Sequence, residues 1–135
     1  MSNLSRLLIV AVIATFFGFF LVEALLWRVS LVNALLLPQL NPGLAVPAET
    51  QIPVLTSLFQ NQGAYNLMMG AGGVWALRLA AVDHPAGRTM LRFLCLFAIG
   101  AAVVLLATTH AYALGIVQLA FPLAALAAMR RDQRE

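Results

Sequence analysis

The run at 7–27, LLIVAVIATFFGFFLVEALLW, carries a single ionisable side chain, Glu23. As an α-helix it would be about 31 Å long, which matches a hydrocarbon core about 30 Å thick. A helix that is apolar all round must be covered on every side by protein or by lipid. A short basic start, Arg6, resembles the opening of a signal peptide. The apolar run outlasts the usual h-region, however, and has no small-x-small cleavage site, so it reads as an uncleaved first helix.

Three further runs of this kind follow, at 54–77, 93–109 and 114–129, the last interrupted by Pro122. With 62% hydrophobic and only 10% charged residues, the chain falls far below the roughly 25% charge of soluble domains. Its mean hydropathy is +0.92. The expected fold is therefore an all-α membrane protein: a four transmembrane helix bundle forming one membrane domain over 1–135. The segment 28–51 contains Pro38, Pro42, Gly43 and Pro47, which break a helix, so it reads as an outward loop on the membrane surface. A short interfacial helix over 29–37 fits its remaining leucines. Asp83, His84, Pro85 and Gly87 read as turn chemistry, and 130–135 as a charged tail. Trp27 and Trp75 suit aromatic anchors at opposite interfaces.

The pI near 10 does not point to nucleic acid. All eight basic residues are Arg, placed at the edges of apolar segments rather than in a stripe with surface aromatics. One cysteine, Cys95, excludes an intrachain disulfide, and no zinc-type spacing or other metal or cofactor motif is present. With four spans, Arg6, Arg78, Arg88, Arg92, Arg130, Arg131 and Arg134 fall on one side and Arg28 alone on the other. The positive-inside rule then makes the chain integral to the cell (inner) membrane with both termini cytoplasmic.

That topology sorts the intramembrane polar groups by depth. Glu23 lies about one turn below the outer end of the first span, and FQNQGAYN at 59–66 descends from the outer side of the second. Thr108, Thr109 and His110 close the third span outside, with Gln118 about a turn and a half into the fourth. All lie in the outer half. Asn61 and Tyr65 share one face of the second span and Gln62 and Asn66 the next, with Gly70, Gly72 and Gly73 below as small packing residues. An unpaired amide in an apolar medium costs about 1–3 kcal/mol, so these side chains must face protein, water or a ligand. The pattern predicts an outward-facing polar pocket with apolar walls. Its ligand-binding residues are Asn61, Gln62, Tyr65, Asn66 and Gln118. Glu23 is its candidate proton carrier, with His110 as a second acid–base group.

The string Glu23-Ala-Leu-Leu-Trp27, followed by Asn61-Gln62-Gly63-Ala64-Tyr65-Asn66 and Gln118-Leu-Ala-Phe-Pro122, resembles a family of small bacterial four-helix integral membrane proteins, the domain-of-unknown-function family 1304. The resemblance covers nearly the whole chain. It implies the four-helix fold and supplies no activity.

Three functional classes remain open on the residues. A pocket of this kind suits binding of a small lipophilic molecule, with isomerisation or hydration as the chemistry that Glu23 and carboxamides would serve. A structural or accessory membrane protein would use the same residues as interhelical hydrogen bonds, worth about 0.6 kcal/mol each, with Glu23 paired to Arg28. A small proton-coupled transporter, as a homodimer, would need Glu23 to reach both sides, and the cytoplasmic half offers no polar path.

Overall fold

The computed structural model describes residues 1–82 and 84–134. Among them the chain is all-helical. Helix α1 spans Asn3–Phe20 and continues as a π-helical turn over Leu21–Leu25. The others are α2, Ser30–Leu40; α3, Ala48–Ala81; α4, Pro85–Thr108; and α5, Tyr112–Arg131.

Local chemistry sets several of these ends. The Ser2 hydroxyl caps α1 by accepting the Ser5 N–H at 3.2 Å. His84 caps α4 through Nδ1, which accepts the Ala86 N–H, and Pro85 opens the helix where its missing N–H costs nothing. Asp83, read as part of this turn, lies outside the described residues. At the other end of α4 the chain turns extended at Thr109, whose hydroxyl accepts the Ala111 N–H at 3.1 Å. That short turn leads directly into α5.

The segment 28–51 is more helical than its prolines imply. Pro38 sits inside α2, and α3 starts at Ala48 and runs through Pro53. Each proline removes one backbone bond near a helix end, where neighbouring turns hold the helix together. With 34 residues α3 is about 51 Å long, so its first turns project beyond the expected second span.

Helix α1 packs on α3, α3 on α4, α4 on α5, and α5 back on α1. The buried core lies toward the end that holds the chain termini. It is formed by Ile9, Val12 and Phe16 of α1, Ala76 of α3, Leu94 of α4 and Ala125 of α5, with others around them. The terminal segments meet there, where the Ser2 N–H donates to Asp132 Oδ2 at 2.8 Å. The α3–α4 hairpin closes tightly beside this end: a Cβ on Gly87 would lie 2.3 Å from the Ala80 backbone nitrogen. Only glycine fits at that position.

Candidate functional site

At the opposite end α1 departs from α-helical geometry. The Leu26 N–H donates to the Leu21 carbonyl at 2.9 Å, a five-residue step that inserts an extra residue into the turn carrying Glu23. Such insertions reorient the side chains around them and recur at functional sites. The adjacent Ala24 lies directly against α3. A Cβ on Gly63 would stand 2.8 Å from the Ala24 Cβ and 2.9 Å from its backbone nitrogen. Glycine at 63 thus permits the approach that brings Glu23 to Asn66, whose Nδ2 donates to Glu23 Oε2 at 2.7 Å. Above this bond the Trp27 ring packs on Phe59 with centroids 4.1 Å apart. Trp27 is only 1% exposed, so it is a packing residue between α1 and α3 rather than the interfacial anchor its position in the sequence implies. Trp75 is exposed.

A cavity of about 550 Å³ opens beside the Glu23–Asn66 pair. Its polar lining comes from Glu23, Gln62, Asn66, Thr108 and Gln118. Phe19, Phe59, Phe97 and Leu105 are among its apolar walls, and Leu36 and Leu40 of α2 close one side. The position of α2 is fixed at its C-terminal end, where the Gln39 carbonyl accepts the His110 N–H at 2.7 Å. Beyond it Asn41 Nδ2 donates to Gln51 Oε1 at 3.1 Å, tying the connection to the first turn of α3.

Gln118 differs from the other polar residues of the chamber. It is 6% exposed, and its carboxamide, which is not sealed from open space, has no hydrogen-bond partner among the described residues. Its backbone carbonyl is also deprived of the usual helical donor, because residue 122 is proline. The Thr108 hydroxyl, by contrast, donates back to the Val104 carbonyl at 2.8 Å.

Glu23, Gln62, Asn66 and Gln118 therefore meet at one cavity, on the face of α3 that carries Gln62 and Asn66. Asn61 and Tyr65 do not line it; they lie on the outward side of α3, with Tyr65 58% exposed. His110 does not line it either, and its ring stacks on Tyr112 with centroids 5.6 Å apart. The hydrogen bond to Glu23 comes from Asn66, not from Arg28 or His110. Gly73 packs against Ile13 and Leu94, while Gly72 has open space before it. Sequence reasoning missed the walls supplied by Phe59, Phe97 and α2. The leucines signalled the short helix expected over 29–37, which the structure places at Ser30–Leu40, but not that it walls the chamber.

Among the described residues three helices, α1 through Leu25, α4 and α5, are long and apolar enough to cross a membrane. Large apolar side chains such as Leu7, Met68 and Phe93 point away from the packed helices, more exposed apolar surface than a soluble monomer tolerates. These features define a helical membrane protein. The chain belongs to the family described as Protein of unknown function (DUF1304), whose model matches residues 8–130 and so spans every helix. No curated protein and no solved structure matches it.

Proposed function

We propose that this chain is a four-helix membrane protein, with its termini in the cytoplasm, whose chamber binds a small lipophilic molecule through Glu23, Gln62, Asn66 and Gln118. The sequential packing of α1, α3, α4 and α5 supports the four-helix reading, as does the contact between Ser2 and Asp132 at one end. Seven of eight arginines at that end in a four-span topology support the cytoplasmic assignment. The chamber then faces the outer half of the membrane.

The observation that carries the binding reading is Gln118. A carboxamide serving only to join helices would have a partner on another helix, because leaving it unpaired in an apolar interior costs about 1–3 kcal/mol. Gln118 is nearly buried, unpartnered and open to a chamber of about 550 Å³, a volume typical of small-molecule sites. Glu23 is the one carboxyl group lining that chamber among the described residues, so any proton transfer there falls to it. Its partner is a carboxamide, which orients a carboxyl group but does not titrate. This arrangement favours recognition over turnover.

Native mass spectrometry of the detergent-purified protein tests the reading. Wild type should retain a discrete small molecule that Gln118→Leu loses while remaining folded. Bulk lipid alone on both proteins would refute it. The close Gly63–Ala24 contact and the Glu23–Asn66 bond favour a second reading, in which the polar pair only fastens α1 to α3. In that case Asn66→Leu would lower stability and change no bound molecule.

A further inference from the structure

A second cavity, of about 390 Å³, lies under α2 next to the chamber. Phe19, Val22, Leu36 and Leu114 line both cavities, so the two adjoin along that wall. The second differs sharply in chemistry. Apart from the Thr15 hydroxyl, which donates to the Ala11 carbonyl at 2.9 Å, its lining is apolar: Gly18, Val32, Leu35 and Val117 complete it. One space has several polar side chains in its lining, and its neighbour has no free polar group. Neither cavity is lined by any Arg, and the chain has no Lys.

We infer that the ligand is a single-chain amphiphile with an uncharged or cationic head, which lies against Glu23 and Gln118 while its tail occupies the apolar groove beneath α2. This rests on the chamber being a ligand site and specifies what fills it. The Gln118 carboxamide offers both a donor and an acceptor, and the Glu23 oxygen not engaged by Asn66 is free to accept from a hydroxyl or an ammonium. An anionic head would meet a carboxyl group with no cation to offset it. A tail in the groove stays in apolar surroundings along its length, so drawing the head into the chamber exposes no hydrocarbon to polar groups. At about 390 Å³ the groove suits one chain rather than two.

Two glycines allow the spaces to be filled separately. Gly18 lines the groove and Gly100 the chamber, and a Cβ added at either meets nothing within 4 Å. Leucine at these helical positions is compatible with folding, since it favours helix over glycine. The experiment measures binding of hexanol, hexadecanol, hexadecylamine and hexadecyl sulfate by native mass spectrometry to wild type, Gly18→Leu and Gly100→Leu. Hexadecanol and hexadecylamine should bind wild type, with hexadecyl sulfate at least about tenfold weaker. Gly18→Leu should weaken hexadecanol by about tenfold or more and leave hexanol unchanged, whereas Gly100→Leu should weaken both. If Gly18→Leu binds hexadecanol as wild type does, the tail does not use the groove and the inference is overturned, even if sensitivity of hexanol to Gly100→Leu upholds the chamber. Equal binding of the sulfate and the amine overturns the assignment of the head. If no probe binds wild type, or Gly100→Leu changes nothing, the chamber reading itself fails and this inference falls with it.

Discussion

Replacing Gly63 by alanine adds one methyl group at the point where the π-turn of α1 meets α3. That carbon would stand 2.8 Å from the Ala24 Cβ and 2.9 Å from the Ala24 nitrogen. Non-bonded carbons are most stable about 3.5–4.0 Å apart, so the two helices must separate by roughly 1 Å. Neither opposing atom is the end of a flexible side chain, so the backbone itself has to shift. Overpacking of this kind costs about 1–3 kcal/mol. Glu23 is the neighbour of Ala24 and Asn66 lies one turn from Gly63, so the same separation stretches their 2.7 Å hydrogen bond beyond useful range. Its loss adds about 0.6 kcal/mol on average for a bond between membrane helices. Set against the gain of about 1 kcal/mol that alanine has over glycine inside a helix, Gly63→Ala should therefore destabilise the fold by about 1–3 kcal/mol. Gly72 is the control on the same helix: an added Cβ there meets nothing within 4 Å, so Gly72→Ala should be neutral or slightly stabilising. Reversible unfolding in mixed dodecyl sulfate micelles, followed by circular dichroism, measures both. A Gly63→Ala protein as stable as wild type, or equal losses in the two variants, would refute the reasoning.

Other expectations concern the rest of the molecule. A double-mutant cycle on Glu23→Ala and Asn66→Ala, each of which removes one partner of the bond, should give a coupling of about 0.6 kcal/mol and no more than about 1.7, and a coupling of zero would mean that the bond contributes nothing. The Ser2 backbone N–H, aided by the Ser2 hydroxyl, holds the Asp132 carboxyl below its ordinary range. A lowered folded-state value makes this contribution fully present above the unfolded value, about 3.9, and lost as pH falls through the lower folded value. Corrected for intrinsic rate, amide exchange at Ser2 should accordingly accelerate on acidification in wild type and be pH-independent in Asp132→Asn. Brominated lipid should quench Trp75 strongly and Trp27 weakly, since Trp27 is covered by Phe59, and single-tryptophan variants separate the two signals.

The helical membrane character was legible because it depends on composition and run length, which need no tertiary information. Position along the helices was legible too. Counting residues from the span ends grouped Glu23, Gln62, Asn66 and Gln118 at one level, and these four line one cavity. Rotation was harder to read. Helical spacing separated the Asn61–Tyr65 face from the Gln62–Asn66 face, and the only hint of which one turns inward was the small residues Gly70 and Gly73 below the second. The deciding contact is Gly63 against Ala24, a tertiary event. The π-turn is likewise invisible in the sequence LVEAL, which has ordinary helix formers and no proline or glycine. Pro38, Pro42 and Pro47 made 28–51 look less helical than it is, because a proline near a helix end, as Pro38 is in α2, removes one bond without ending the helix. Trp27 was misread for a related reason: its distance along α1 puts it near the helix end, but Phe59 of α3 covers it there.

The most direct test of a ligand chamber reads the Gln118 carboxamide itself. In protein labelled with nitrogen-15 at glutamine, the Gln118 side-chain signal can be assigned as the one absent from Gln118→Leu. Titrating hexadecanol into delipidated protein should shift that signal saturably while leaving the exposed Gln60 in place. A Gln118 signal that stays fixed across the titration would contradict the account.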